Sequence, residues 1–187
     1  MLNPQYKNSY SLSILLETIM GRWRAPQPQS SKYITQSGFN KLNAELRYLW
    51  KEKRPLITQA VREAAAQGDR SDNAEYTEGK RLLREIDRRV RFLSKRLDDI
   101  NVIDQIPQDT SVIVFGAWVT LLNEVEQLRT IRIIGPDEID TSGLLVSMDS
   151  PLAKALFKKR VGDEAEVLKP DGSKAYYEIT EIEYKRE

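Results

Sequence analysis

"LLREIDRRVRFLSKRLDDI", Leu82 to Ile100, carries apolar residues at Leu83, Ile86, Val90, Leu93, Leu97 and Ile100. Gaps of 3, 4, 3, 4 and 3 put all six on one stripe of an α-helix, with charges on most of the other positions. A stripe this narrow is the seam that a coiled-coil helix buries against a partner. Upstream, "TQSGFNKLNAELRYLW" (Thr35 to Trp50) repeats the pattern at Phe39, Leu42, Leu46 and Leu49, and Thr35 or Ser37 can start that helix. The stripe is expected to resume at Leu56 or Ile57, Ala60 and Ala64. Pro55 interrupts it, and should kink the helix or leave a hydrogen bond unmade at a cost of about 3 kcal/mol. Two such helices joined by a few residues must run antiparallel, seam to seam. A helix of some 30 residues is roughly 45 Å long, so the link from Gly68 to Asn73 lies at the far tip of an arm.

That link, within "AAAQGDRSDNAEYTEGKR" (Ala64 to Arg81), holds Asp69, Asp72 and Glu75. Two carboxylates at a tip suit Mg²⁺, a hard cation that takes one or two protein carboxylates plus waters or substrate phosphates. Alone they would bind it weakly, so the tip would share a metal with another molecule. A structural account also stands: Asp72 followed by Glu75 has the form of a capping box, Asp69 after Gly68 is ordinary turn chemistry, and acids at a helix N-terminus complement its dipole. Beyond the tip, Lys80 to Asp98 contains eight basic residues against Glu85, Asp87 and Asp98. Either this is a solvated face with Arg84 and Arg88 in local ion pairs, or it meets a polyanion steered toward the tip. Gly79 is unexplained by the pattern, since a helical glycine costs roughly 1 kcal/mol relative to alanine.

Downstream of Pro107 the spacing turns to strands. "SVIVFGAWVTLL", "QLRTIRIIG" and "GLLVSM" are rich in β-branched and aromatic residues. "SPLAKALFKK" is a short helix with Ser150 as N-cap and Pro151 at its first position. "EAEVLKPDGSKAYYEITEIEY" is a hairpin around Pro170, Asp171 and Gly172. The expected class is α+β, with residues 1–33 an extension and linker, 34–107 an antiparallel coiled-coil finger, and 108–187 a small, mostly β domain. Met20, followed by the basic "GRWR", could be a second start site, leaving residues 1–19 an upstream extension that an intact-mass measurement would reveal.

Composition sets outer bounds. The chain has 187 residues and a formal net charge of +1, but its halves differ. Met1 to Gln108 holds 19 basic and 13 acidic residues, and Asp109 to Glu187 holds 10 and 15, which points to two different partner surfaces. Without Cys or His, thiolate chemistry, disulfides, zinc sites of the usual kind and imidazole bases are excluded. The lack of Cys fits a cytoplasmic protein. "SLSILLETIM" (Ser11 to Met20) is too short to span a bilayer and contains Glu17, so no membrane segment is expected.

The motifs "GDRSDNAEY", "LLREIDRRVRFLSKRL", "FGAWV", "RIIGPDE" and "SMDSPLAKALFKKRVGDE" together resemble the bacterial Gre-type transcript cleavage factors, in one unbroken order from about Ile34 to Tyr184. The basic second helix resembles the GreB branch more than GreA. The resemblance implies a C-terminal domain similar to FK506-binding proteins and a finger that enters the secondary channel of backtracked RNA polymerase. There the tip acids help hold a second Mg²⁺ in the polymerase's own active site, for hydrolysis of the extruded RNA. Asp69 matches the first essential tip acid, and Asp72 stands where the family normally has Glu, one methylene shorter. Glu75 matches a further acidic position that caps or assists. Lys80 and Arg81 match basic positions that contact the 3′ segment of the RNA, Arg84 and Arg88 continue that face, and Leu82 replaces a residue that is often basic. Asp149, Ser150 and Pro151 match the loop that grips the channel's rim. The resemblance thus implies a monomer that stimulates the polymerase and is no enzyme alone. A channel-entering regulator without cleavage is the alternative that Asp72 keeps alive. A self-sufficient metal nuclease is disfavoured by the absence of His and the few clustered acids, and isomerase activity rests on fold analogy alone.

Overall fold

The computed structural model describes residues 30–66, 73–169 and 171–185. Residues 1–29 of the expected extension, the tip acids Asp69 and Asp72, and Pro170 lie outside the described residues, and the extension's expected end at 33 falls on the first residue of a strand.

Strand β1 (Tyr33–Thr35) leads directly into helix α1 (Gln36–Tyr48). Of the two candidate starts, Thr35 is the cap: its hydroxyl accepts from the Gly38 amide at 3.1 Å. Helix α1 continues without a break through a π-helical turn (Leu49–Lys53) into α2 (Arg54–Ala66), and α3 (Ala74–Asp98) returns antiparallel beside them. The seam forms as the spacing predicts. Leu42, Leu49, Ile86 and Leu93 are buried with Ile34, and Phe39, Leu46, Val90, Leu97 and Ile100 pack against them.

Beyond the π turn the stripe resumes at two of its expected positions and misses a third. Ile57 joins the core and Ala64 is buried, whereas Leu56 is 68% exposed and Ala60 also faces solvent. The Arg54 amide donates to the Leu49 carbonyl, five residues back. That wider turn absorbs one extra residue, so that Ile57 rather than Leu56 and Val61 rather than Ala60 take the inner face, with Ala64 a turn further on. The turn sits directly ahead of Pro55, whose ring and missing N–H would otherwise clash with the preceding turn. Pro55 is therefore accommodated by a change of helical register rather than by a break.

The same shift accounts for Gly79. A Cβ built there would lie 2.4 Å from Cγ2 of Val61, so the two helices approach more closely at this level than any larger residue allows. Gly79→Ala gains about 1 kcal/mol of helix propensity but overpacks the contact by about 2 kcal/mol. A net loss of about 1 kcal/mol is expected in urea unfolding, changing sign when Val61→Ala is added.

At the base of the arm, β2 (Asn101–Ile103) pairs in parallel with β1, Tyr33 opposite Asn101 and Thr35 opposite Ile103. The sequence pattern shows neither strand, because three residues are too few to display a period of two.

Residues 108–185 build a five-stranded sheet from β3 (Trp118–Asn123), β4 (Leu128–Ile134), β5 (Leu145–Ser147), β6 (Glu164–Leu168) and β7 (Lys174–Glu183). The order is β5-β4-β3-β7-β6, antiparallel except between β4 and β5. Helix α4 (Pro151–Leu156) covers one face, with Ser150 as its cap and Pro151 at its first turn, as expected. Its Leu156 joins Ile113, Val119, Leu121, Ile131, Ile133 and Ile179 in the core. The β6–β7 hairpin also forms, Leu168 opposite Lys174, with Gly172 at φ 83°. One strand is shorter than expected: it begins at Trp118, and residues 111–115 of "SVIVFGAWVTLL" lie outside the ladder. Gly116 turns the chain at φ 87°, and the Tyr184 hydroxyl donates to the Val112 carbonyl and accepts from the Val114 amide at 2.7 and 2.9 Å. These backbone groups are satisfied by a side chain instead of a ladder. The class is α+β, as predicted. No helix among the described residues is long and apolar enough to cross a membrane.

Candidate functional site

Asp69 and Asp72 fall between the end of α2 at Ala66 and the start of α3 at Ala74. The N-cap of α3 is Asn73, whose Oδ1 accepts from the Tyr76 amide at 3.0 Å while its Nδ2 donates to the Ala64 carbonyl at 2.9 Å. The expected capping box of Asp72 and Glu75 is therefore corrected: Glu75 is the second residue of the helix, and an amide side chain both caps α3 and ties it to α2. Asn73 serves where Asp72 could not, because its amide supplies an acceptor for the helix and a donor for the neighbouring carbonyl at once, whereas a carboxylate only accepts. The cap thus needs no carboxylate at position 72. Among the described residues no three metal-ligating side chains cluster.

The four expected RNA contacts differ in availability. Arg81 is engaged on its own helix, by Glu78 at 2.5 Å and by Glu85. Its hydrogen bonds to Glu78 hold the Glu78 carboxyl below the usual range and raise the Arg81 guanidinium. The Lys80 ammonium lies 5.2 Å from the centre of the Tyr76 ring. Arg84 and Arg88 are exposed, and contrary to the local ion pairing considered for them, the pairs go elsewhere. Asp87 takes Arg54 of α2 at 2.8 Å, and Glu45 of α1 takes Arg89 at 2.7 Å. Both bridges cross between the helices, and the hydrogen bond from Arg89 lowers the Glu45 carboxyl. Because that pKa is depressed by folding, its contribution is present above the ordinary carboxylate range and lost as pH falls.

Asp149, expected on the rim-gripping loop, turns toward the arm. Its Oδ2 accepts from the Ser31 amide at 2.9 Å, while Ser150 caps α4 and Pro151 is exposed. It belongs to a joint that sequence inspection passed over. Following β4, the segment Gly135–Glu138 reaches the first turn of α1. One oxygen of Glu138 accepts from the amides of Thr35 and Gly135, each at 3.0 Å, and the other accepts from the Thr35 hydroxyl. Asp137 pairs with Arg96 near the end of α3 at 2.8 Å, both side chains under 16% exposed. A Cβ at Gly38 would sit 2.2 Å from Glu138, so the carboxylate occupies space that only glycine leaves open. Only the "GPDE" motif itself, polar residues directly after an apolar strand, hinted at this joint.

The family model described as "Transcription elongation factor, N-terminal" matches residues 32–102. The one described as "Transcription elongation factor, GreA/GreB, C-term" matches residues 108–184. The chain belongs to the GreA/GreB family of transcription elongation factors. The transcription elongation factor GreB of Yersinia pestis is 53% identical over 155 residues, 83% of this chain and 90% of the relative. That of Vibrio vulnificus is 54% identical over 156 residues, covering 82% and 96%, and that of Pseudomonas aeruginosa 50% over 165 residues, covering 88% and 98%. Within this Gre-family chain, the helices of the arm, Thr35, Arg96 and Glu138 of the joint, and all five strands of the sheet fall inside the matched residues.

Proposed function

We propose that this protein is a transcription elongation factor of the GreB type, which inserts its helical arm into the secondary channel of bacterial RNA polymerase and stimulates cleavage of the 3′ RNA in backtracked complexes. The observation that carries this reading is the arm itself. Two helices close antiparallel on a link holding Asp69 and Asp72, with the helix cap already supplied by Asn73.

Two carboxylates fit a shared Mg²⁺ and not a resident one, since the remaining positions of an octahedral ion would be left to the polymerase and the substrate phosphate. Held in that way, the ion supplies activation of water and stabilisation of the leaving oxygen. Asp69 and Asp72 present negative oxygens at the end of the arm. Lys80, Arg84 and Arg88 attract the RNA backbone along it. The sheet domain, through the surface near Pro151, holds the rim of the channel. The protein acts as a monomer in the cytoplasm and cleaves nothing alone. A regulator that occupies the channel without cleavage is not favoured, since the similar proteins carry the name of elongation factors.

The test is a stalled, backtracked complex with labelled RNA and Mg²⁺. Cleavage should rise only when polymerase and this protein are both present. Cutting of free RNA, or no stimulation, would overturn the proposal. In the same assay Asp72→Glu restores one methylene of reach and should leave the rate unchanged or raise it. A large loss would show that the tip is built around the shorter acid.

A further inference from the structure

Two adjacent carboxylates of the sheet domain each hold one helix of the arm. In the turn Pro136–Glu138 that follows β4, Glu138 accepts from the amide and the hydroxyl of Thr35, the N-cap of α1. Its neighbour Asp137 pairs at 2.8 Å with Arg96, in the last turn of α3. Arg96 also donates to the Ser31 carbonyl, and the Ser31 amide donates to Asp149. The turn is seated by a close backbone approach, since a Cβ at Gly135 would lie 2.2 Å from the Tyr33 carbonyl oxygen. With φ at −68°, Gly135 is needed for space and not for conformation. The covalent link between arm and sheet domain, residues 104–117, forms neither helix nor strand. A helix pair held through one helix pivots about that point; held through both, it leaves the domain at one angle.

That angle is magnified by the length of the arm. From Arg96 to Ala74, the first residue of α3, the axis runs about 33 Å. A tilt of about 5° at the joint moves the far end by about 3 Å, more than the length of a Mg–oxygen bond, about 2 Å.

We propose that Gly135, Asp137 and Glu138 are positioning residues for cleavage: clamped on both helices, they set the angle of the arm and so bring the carboxylates at its end within reach of a metal held by the polymerase. The inference rests on the proposed function and adds to it where the precision of delivery resides, in the joint at the opposite end of the arm from the chemistry. The clamp touches neither metal nor RNA, so its loss falls on turnover. Misplacing a reacting group by about 1 Å costs up to about 100-fold in rate.

Two variants disturb the clamp in different ways. Gly135→Ala wedges a methyl against the Tyr33 carbonyl and keeps every bonding group. Asp137→Asn keeps the size of the side chain and removes the charge that pairs with Arg96; it leaves the turn seated, and decides alone if Gly135→Ala does not fold. Well below its unfolding transition, each should lower the cleavage rate at saturating protein about tenfold or more. The half-saturating concentration should stay within about threefold of that of the unmodified protein. Cleavage and binding lost in proportion, or unchanged cleavage, would overturn the inference. A second measurement uses the protein alone. The sequence has no Cys, so Glu63→Cys on α2 and Lys169→Cys beside the β6–β7 hairpin, both exposed, place a single pair of spin labels. Their distance distribution should be narrow, and Gly135→Ala or Asp137→Asn should shift or broaden it by about 3 Å. An unaltered distribution would equally reject the clamp. If the unmodified protein stimulates no cleavage while these distances respond to the variants, the proposed function fails and the clamp stands as what sets the angle of the arm.

Discussion

Asp69→Asn should lower polymerase-dependent cleavage at least about 100-fold while the variant still competes with the unmodified protein for polymerase. The substitution keeps the size of the side chain and its capacity for turn hydrogen bonds; what it removes is the negative charge. A carboxylate that helps hold a catalytic cation stabilises transition-state charge by several kcal/mol, and about 1.4 kcal/mol is a tenfold change in rate. Loss of about 3 kcal/mol therefore gives the expected hundredfold. Single-turnover cleavage read beside competition binding separates the two effects, because binding depends on the arm and the sheet domain. A normal cleavage rate would remove Asp69 from the mechanism, and parallel loss of binding would make it a turn residue.

Removing the carboxylate at the base of the arm is expected to have the largest effect on stability. Glu138 accepts from two backbone amides and one hydroxyl. Glu138→Ala leaves the Thr35 and Gly135 amides without this acceptor and opens space beneath Gly38. Charge-assisted hydrogen bonds contribute about 1.5–3 kcal/mol, and an unsatisfied amide costs about 1–3 kcal/mol. Since the joint is only partly buried and water reaches some of it, the expected loss is about 2–4 kcal/mol in urea unfolding. Glu138→Gln, which keeps one acceptor oxygen, should lose about half as much. Gly38→Ala presses a methyl against the same carboxylate and should also destabilise. A change under about 0.5 kcal/mol in Glu138→Ala, the range of ordinary surface substitutions, would show that the joint contributes nothing to folding.

These two positions were not equally legible. Asp69 and Asp72 stand out in sequence because both helices point to the segment that joins them. Glu138 does not, since its partner Thr35 is 103 positions away and nothing in the spacing of either segment registers the other. Asp149 shows the same difficulty. Its neighbours Ser150 and Pro151 announce a helix start by local chemistry, yet its own bond to Ser31 spans 118 positions.

Whatever depends on residues three, four or two apart was determined by the sequence alone: the seam from Ile86 to Ile100, the start of α4, the β6–β7 hairpin and hence the α+β class. Tertiary structure decided where those elements meet. The π turn ahead of Pro55 chose Ile57 over Leu56 for the inner face, Val61 left room only for glycine at position 79, and Asn73 displaced Asp72 as the cap by reaching the facing helix. Helical and strand periods arise from a chain's own turns, so neighbours encode them. Close contacts between separate elements follow from volume and hydrogen-bond demand in three dimensions, which no local spacing records.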